Sequence, residues 1–297
     1  MNGILCVNKP QDFTSFDVVA KLRGILRERR LGHGGTLDPM ATGVLPVFIG
    51  RAARVSDILP DSTKAYRAGF RLGCTSDTQD VWGKVSEVSD KAVSRTELLD
   101  VIPEFTGMIK QIPPMYSAVQ VNGQRLYDLA RQGIEVERKP RDAEIFALTL
   151  TDYDEDTREG TLEIDCGKGT YIRTLISDIG ERLGCGGIMT SLVRTRSCGF
   201  SLSECCTFEQ ITAARDNGTL DELIVPVGRL FTSLPQLRLN EAQTRMYRNG
   251  VKLDLARLRG IKQGAEQYAV NGFDGSFIGT ALADFESGEL RVGKNLG

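Results

Sequence analysis

The amino-acid sequence predicts an α+β body followed by a compact, mostly-β module. Strand-like segments alternate with helix-like segments up to about residue 232, which is typical of α+β architectures. An early segment combines a helix-capping pattern with apolar residues at helical spacing. Beyond residue 232, short β-type segments are separated by glycines. The length of 297 residues is sufficient for one large domain and one small domain.

The elements of the body follow from local patterns. Residues 4–7 are apolar and predict a strand. Thr14 and Asp17 have the spacing of a capping box, and a helix should follow because apolar residues recur at helical spacing, namely Val18, Val19, Leu22, Ile25 and Leu26. Further strands are predicted at residues 64–72, 148–153 and 160–166, and further helices at residues 97–101 and 126–131.

A domain boundary is predicted near residues 231–235, so that the body comprises residues 1–232 and the C-terminal module residues 233–297. Within the module, residues 240–249 favour a helix. Short β segments are predicted at residues 268–270, 277–282 and 290–292. From this pattern alone, a structural capping domain competes with a binding domain.

Composition excludes several classes of protein. No apolar run approaches the length that spans a membrane, and no signal peptide precedes the first strand, so a cytoplasmic location is expected. The seven cysteines are scattered without a C-x-x-C pair, which indicates reduced thiols and neither a disulfide framework nor a zinc site. His33 is the single histidine, which excludes metal sites built on several imidazoles.

The net charge of −2 argues weakly against a nucleic-acid partner, but basic residues are unevenly distributed. One group precedes residue 31 and consists of Lys21, Arg23, Arg27, Arg29 and Arg30. A second group lies between residues 244 and 262 and consists of Arg245, Arg248, Lys252, Arg257, Arg259 and Lys262. This separation fits a polyanion-binding face, and charge alone favours solvated helix surfaces about equally.

The most informative stretch is residues 31–45, which read Leu-Gly-His-Gly-Gly-Thr-Leu-Asp-Pro-Met-Ala-Thr-Gly-Val-Leu. Asp38 is the single acid in it and stands among glycines and small residues, a setting that suits a carboxylate held for chemistry. Glycines permit close approach to a ligand, and Pro39 fixes its own φ and lacks a backbone donor. A bent, exposed loop is expected here.

This stretch closely resembles the signature of the TruB family of pseudouridine synthases. Further segments resemble other motifs of that family in the same order, namely residues 8–10 with 14–15, residues 64–66 with 72–73, residues 77–83, residues 168–173, and residues 192–195 with 199–200. Residues 105–107, 111–118 and 125–140 resemble the insertion, about residues 105–140, with which the family grips an RNA stem-loop. A run of ordered motifs is far more specific than one short pattern.

The resemblance implies a fold and a catalytic set. It implies a pseudouridine synthase catalytic domain with a mixed or antiparallel central sheet, followed by a small PUA-like RNA-binding domain. Asp38 would attack or deprotonate the target nucleotide, Tyr66 would stack on the flipped uracil, and Arg173 would keep Asp38 ionised and oriented. Without the motifs, Tyr66 would be read as a core residue and Arg173 as half of a surface ion pair.

The resemblance also implies RNA contacts, at His33, Lys9, Leu192, Arg194, Tyr171, Lys168, Arg257, Arg259 and Lys262. His33 would position the substrate without transferring a proton. Lys9 has two interpretations, contact with an RNA phosphate or support of the catalytic loop. Two residues depart from the family pattern. Gly34 stands where threonine is usual, and Asp12 stands where glycine is usual.

The implied reaction converts uridine to pseudouridine at position 55 in the T-loop of tRNA, without a cofactor or a metal. Because Ala41 follows the Pro-Met pair, as in the stand-alone bacterial type, neither a guide RNA nor an obligatory protein partner is expected, and a monomer is expected. An accessory role in tRNA folding is compatible with modification. A non-catalytic RNA-binding protein is the main alternative. An aspartate-dependent hydrolase would require a second acid or a base near Asp38.

Overall fold

The computed structural model describes residues 1–121 and 123–296, and all statements below concern that part of the chain. The helices are α1 (Ser15–Leu26), α2 (Arg95–Val101), α3 (Leu126–Arg131), α4 (Ile172–Arg182), α5 (Phe208–Asn217) and α6 (Glu241–Arg248). The first strands are β1 (Gly3–Lys9), β2 (Leu31–His33), β3 (Thr42–Ile49), β4 (Lys64–Leu72), β5 (Cys74–Ser76), β6 (Val85–Glu87), β7 (Gly107–Gln111), β8 (Gln120–Val121) and β9 (Gln124–Arg125). The remaining strands are β10 (Arg141–Asp154), β11 (Glu159–Cys166), β12 (Gly187–Ser197), β13 (Phe200–Ser201), β14 (Gln236–Arg238), β15 (Leu253–Asp254), β16 (Gln267–Asn271), β17 (Phe277–Asp284) and β18 (Glu289–Asn295).

The structure divides into two compact units. The first contains residues 1–39, 45–61 and 198–296, and the second contains residues 40–44, 62–121 and 123–197. The chain passes from the first unit to the second directly after Asp38 and Pro39. The predicted division into residues 1–232 and 233–297 stays a prediction.

Helix α1 forms as its sequence predicts. Thr14 is the N-cap, and its hydroxyl accepts a hydrogen bond from the Asp17 amide while the Asp17 carboxylate accepts one from the Thr14 amide. This reciprocal pair satisfies two backbone donors that the helix itself leaves unpaired. The helix ends at Leu26, and the C-cap residue Arg27 adopts the left-handed conformation at φ 51°.

The core of the first unit lies between α1, α5 and strands β1, β2 and β3. Buried apolar residues from one face of α1, such as Val18 and Leu22, pack with alternate residues of β3, such as Leu45 and Val47. The alternation arises because successive side chains of a strand point to opposite faces. β2 pairs antiparallel with the end of β3, with Leu31 opposite Ile49.

The second unit is built on a mixed sheet with the order β3, β12, β4, β11, β10, β7. The start of β3 pairs parallel with β12, and the other neighbours pair antiparallel. Helix α4 packs on this sheet and buries Leu175, Ile176 and Ile179. This mixed sheet agrees with the mixed or antiparallel central sheet that the family resemblance implies.

The C-terminal residues have a sheet and an apolar core of their own. The strand order is β14, β16, β17, β18, β15. Its core includes Leu237, Tyr247, Tyr268 and Ile278, all nearly inaccessible to solvent. The predicted helix and the predicted β segments of this module are confirmed as α6, β16, β17 and β18.

The local predictions for the body are also confirmed, with longer bounds in places. The strand predicted at residues 148–153 is the later part of β10, which begins at Arg141. The expectation of an exposed loop over the whole of residues 31–45 is wrong in its extent. The stretch begins in β2 and ends in β3, and within it Thr36 and Pro39 are the exposed residues. Within the described ranges, no helix combines the length and apolar character needed to cross a membrane.

Candidate active site

The backbone on the N-terminal side of Asp38 is fixed by a buried serine. Leu37 is 4% exposed, and its amide donates to the Ser15 hydroxyl at 2.9 Å while its carbonyl accepts from the same hydroxyl at 3.3 Å. Ser15 is the first residue of α1, so the position of that helix sets the position of Leu37. Asp38 itself is partly exposed. Its backbone therefore has one rigid neighbour while its carboxylate remains reachable.

The backbone on the other side of Asp38 is fixed as well. The Pro39 carbonyl accepts hydrogen bonds from the Asp12 amide at 3.0 Å and from the Lys9 ammonium at 2.9 Å. Lys9 is fully buried, and the same ammonium donates to the carbonyls of Pro10 and Phe13 at 3.0 and 2.5 Å. A buried charge requires such partners. The geometry supports the loop-supporting interpretation of Lys9.

Asp12 fits its unusual position by its backbone conformation. Its φ of 66° lies in the left-handed region, where glycine is usual and where aspartate is among the better tolerated other residues. The turn that directs the Asp12 amide to Pro39 is therefore kept without glycine.

His33 ends β2 and pairs with Val47 in the antiparallel ladder. The next residue, Gly34, donates its amide to the Pro46 carbonyl at 2.8 Å and accepts a weak hydrogen bond from the Cys198 thiol at 3.6 Å. A Cβ atom at Gly34 would lie 3.2 Å from Cys198 Sγ and 3.2 Å from the Phe48 ring. A side chain at position 34 would therefore fit only if Cys198 and Phe48 moved by a few tenths of an ångström.

Arg194 lies inside the second unit. It is fully buried, and its Nε donates to the Val44 carbonyl at 2.7 Å. Gly43, with φ 102°, pairs with Arg194 across the parallel ladder, and a Cβ there would collide with the Arg194 backbone oxygen. The last glycine of the signature is therefore needed for the close approach of β3 and β12.

Tyr66 and Leu192 lie on neighbouring strands of the same sheet. Tyr66 is 6% exposed on β4 and stands opposite Arg194 in the β4–β12 register. Leu192 is 7% exposed on β12 and stands opposite Ala68. These candidate uracil-contacting residues therefore lie diagonally to each other on adjacent strands of the second unit.

Arg173 is held from three directions within the second unit. Its guanidinium, 6% exposed, donates to the carbonyls of Thr78 and Tyr116 at 2.9 and 2.8 Å. Its Nη1 lies 3.7 Å from the buried carboxylate of Asp80. Asp80 in turn accepts from the Thr78 hydroxyl at 2.6 Å and from the Trp82 amide at 3.1 Å. The guanidinium therefore has a fixed orientation.

The remaining predicted RNA contacts differ in accessibility. Lys168 is exposed in the turn after β11, and Tyr171 is partly exposed at the N-cap of α4. Arg257, Arg259 and Lys262 are all exposed. The Tyr268 hydroxyl accepts from the Lys262 amide at 2.7 Å and donates to its carbonyl at 2.8 Å, so this cationic loop has a buried anchor.

Sequence reasoning placed several supporting residues in motifs but gave them no role. Ser15, Asp80 and Gln111 are buried polar residues that hold backbone or side chains of the candidate site. Across residues 1–121 and 123–296, no group of three or more His, Cys, Asp or Glu side chains could hold a metal ion.

Comparison with known families identifies the chain's relatives. The profile described as TruB family pseudouridylate synthase (N terminal domain) matches residues 23–172, and that of the tRNA pseudouridylate synthase B C-terminal domain matches residues 173–232. The chain belongs to the TruB family. The predicted resemblance is thereby confirmed, and the matched ranges of this TruB-family protein include Asp38, Tyr66 and Arg173.

Similar curated proteins carry the name tRNA pseudouridine synthase B. One from Syntrophomonas wolfei subsp. wolfei is 45% identical over 253 residues, covering 84% of each chain. One from Dehalococcoides mccartyi (strain CBDB1) is 43% identical over 279 residues, covering 94% of this chain and 91% of the relative. One from Bacillus cytotoxicus is 42% identical over 260 residues, covering 85% and 84%.

Solved structures support the same fold. The structure described as "Crystal Structure of a Cbf5-Nop10-Gar1 Complex" matches with a TM-score of 0.77 at 26% identity, covering 99% of this chain and 85% of the other. The "Structure of H/ACA RNP bound to a substrate RNA containing 2'-deoxyuridine" matches with a TM-score of 0.75 at 24% identity, covering 99% and 85%. The predicted α+β class, with its PUA-like C-terminal domain, is confirmed.

Proposed function

We propose that this TruB-family protein isomerises uridine to pseudouridine in tRNA, at position 55 of the T-loop. The names of its relatives support the tRNA substrate and the isomerase class. The observation that carries the proposed role of Asp38 is the fixation of both its neighbours. Ser15 holds Leu37, and Lys9 with Asp12 holds Pro39, whereas Asp38 itself stays partly exposed. Such a preorganised carboxylate suits attack on a bound nucleotide.

The reaction balances within the substrate. The C1′–N1 bond breaks, the uracil rotates, a C1′–C5 bond forms, the C5 proton leaves and N1 gains a proton. Asp38 either attacks C1′ or removes the 2′ proton, and both routes need an ionised carboxylate. Arg173, always charged and fixed by Thr78 and Tyr116, would supply the stabilising positive charge. Tyr66 would stack on the flipped base, which must leave its stack at a cost of about a few kcal/mol.

The proposed substrate contacts follow the accessible residues. Lys168, Tyr171 and the exposed cations of the C-terminal module would contact tRNA, and His33 and Leu192 would contact the target nucleotide. One structural neighbour is an H/ACA RNP bound to a substrate RNA. For this chain we propose activity on tRNA as a monomer, without a guide RNA or a protein partner.

The deciding experiment uses purified protein and an unmodified tRNA transcript, with no other RNA added. We expect pseudouridine at position 55, mapped by chemical adduct formation, and no product from a transcript carrying cytidine at that position. Asp38→Asn should lower the single-turnover rate by at least about a hundredfold, because an amide neither attacks C1′ nor accepts a proton.

The matched control is Asp216→Asn, which alters an exposed aspartate on α5 and should keep the wild-type rate. Equal rates for Asp38→Asn and wild type would refute the role of Asp38. Release of free uracil in place of pseudouridine would indicate a hydrolase. Product that forms only after a guide RNA is added would refute the stand-alone mode.

A further inference from the structure

Gln111 makes an unusual pair of hydrogen bonds at the end of β7. Its side chain is buried, and the residue is 2% exposed. The side-chain Nε2 donates to the Tyr171 carbonyl at 3.1 Å, and the side-chain Oε1 accepts from the Tyr171 amide at 3.0 Å. One primary amide therefore binds both backbone groups of a single residue, as a neighbouring strand would.

The residue so held begins the helix that carries Arg173. Tyr171 is the N-cap of α4 and has no capping hydrogen bond from its own side chain. Its carbonyl also accepts the first-turn hydrogen bond from the Leu175 amide at 3.0 Å. Gln111 thus takes part in fixing where α4 starts and in which direction its first turn points.

A second link connects the same two segments in the opposite sense. The Arg173 guanidinium donates to the carbonyl of Tyr116, and Tyr116 follows Gln111 by five residues. The Gln111 side chain therefore binds the backbone of Tyr171, and the Arg173 side chain binds the backbone of Tyr116. The two segments are thus linked in both directions. The segment after β7 belongs to the insertion predicted to grip RNA.

The geometry points to Gln111 as a positioning residue for Arg173 in the isomerisation reaction. Gln111 sets the position and direction of the first turn of α4, and that turn sets the guanidinium. The residue touches neither substrate nor reacting atoms in this role. The inference rests on the proposed function, because it assigns Arg173 to the chemical step.

The test begins with Gln111→Met, which keeps the side-chain length and removes both hydrogen bonds. We expect the single-turnover rate at saturating enzyme to fall about 10- to 100-fold, since small misplacements of a catalytic group have effects of this size. The tRNA dissociation constant should change much less than the rate, because Gln111 is buried and would affect binding only through Tyr171, one of several proposed tRNA contacts. Hydrogen exchange of the amides at Tyr171 and Leu175 should accelerate.

A second variant, Gln111→Glu, adds a signature in the pH profile. A protonated carboxyl can donate to the Tyr171 carbonyl and accept from its amide, as glutamine does, whereas a carboxylate cannot donate. Burial and the facing carbonyl oxygen should raise the pKa of the introduced carboxyl. We therefore expect the rate relative to wild type to rise as the pH falls from about 8.5 to about 6.

The control is Tyr153→Phe, which removes another buried hydrogen bond of the same unit, from the Tyr153 hydroxyl to the Val93 carbonyl at 2.9 Å. It should lower the Tm without changing the rate or the pH profile. If Gln111→Met lowers the Tm in the same way but keeps the wild-type rate, the positioning role is refuted. Unchanged exchange at Tyr171 and Leu175 refutes it even if the wild-type protein makes no pseudouridine, an outcome that would refute the proposed function separately.

Discussion

At the residue scale, the backbone around Asp38 is held in place by hydrogen bonds to the residues on either side of it. Ser15, Asp12 and Lys9 all come from one short segment, and together they hold the backbone on both sides of the acid. Lys9 shows why residue type alone misleads. A lysine in a sequence usually indicates a surface cation, yet the ammonium of Lys9 is buried and donates to three carbonyl oxygens. Contact of Lys9 with an RNA phosphate stays a prediction, and the observed geometry favours the structural interpretation.

Gly34 gives a residue-scale prediction about the departure from the family pattern. Gly34→Thr should destabilise the protein by about 1–3 kcal/mol, because the added Cβ lies 3.2 Å from Cys198 Sγ and from the Phe48 ring. The free energy of unfolding, measured by denaturant titration, checks this. Cys198→Ala frees part of the space and should make the Gly34→Thr substitution less costly.

A double-mutant cycle with these two substitutions isolates their coupling. We expect a coupling of at least about 0.5 kcal/mol in favour of the double variant, because the two side chains would share one space. Additive effects would show that Phe48 or the backbone, and not the Cys198 thiol, excludes a side chain at position 34.

At the element scale, sequence predicted those elements whose signals are local. Helix α1 has a capping box and a regular apolar stripe, and both are present in the structure. Strands β3 and β12 were not predicted. β3 contains Pro46, a residue that usually argues against a strand, and β12 contains Arg194, whose burial becomes tolerable through its hydrogen bond to the Val44 carbonyl. Such compensation comes from tertiary contacts, which a local pattern does not contain.

Helix α4 carries an element-scale prediction, through Asp178. Burial, together with the nearby Glu181 carboxylate, raises the pKa of Asp178 from 3.8 to about 6. The folded state therefore binds this proton more tightly than the unfolded state does. The stability that this proton contributes is present at about pH 4 and is lost as the pH rises to about 6. Above that pH, the free energy of unfolding stays lower by a constant amount.

Asp178→Asn should therefore raise the Tm at pH 8 by a degree or so, on the order expected for a partly solvated group, and should have a smaller effect at pH 4. Thermal unfolding followed by circular dichroism at both pH values measures the difference. Glu181→Gln should act in the same direction but less strongly, since burial is the larger cause. An equal change in Tm at both pH values would mean that the effect is not ionic.

At the scale of the whole molecule, the three proposed catalytic residues are divided between the two compact units. Asp38 lies in the first unit, and Tyr66 and Arg173 lie in the second. The sequence motifs predicted a catalytic role for all three residues, and their joint action stays a prediction. The positions of Tyr66 and Arg173 could be inferred from a strand pattern and a motif. The anchors at Thr78, Tyr116 and Asp80 could not, because they depend on segments far apart in sequence.

Charge is the whole-molecule property that bears most directly on tRNA binding. A protein with net charge −2 needs a local cationic surface to bind a polyanion. Arg257, Arg259 and Lys262 provide one on a loop anchored by Tyr268. The Nε of Arg257 lies 3.3 Å from the Asp254 carboxylate, and the Arg257 side chain is 83% exposed. A contact so exposed contributes little and leaves the guanidinium available.

Replacing Arg257, Arg259 and Lys262 with glutamine in one variant should weaken tRNA binding. It should also flatten the slope of log K against log salt by about 2, because fewer counterions are released. Filter binding between about 50 and 200 mM salt measures the slope.

The matched control neutralises Lys252, Arg291 and Arg215, three cations already paired with carboxylates. It lowers the net charge equally but should change the slope less. Single-turnover rates at saturating protein should stay near wild type for the first triple variant, since none of its residues has a proposed role in the chemical step. If both triple variants flatten the slope equally, net charge rather than the C-terminal loop governs binding, and the loop is only a solvated face.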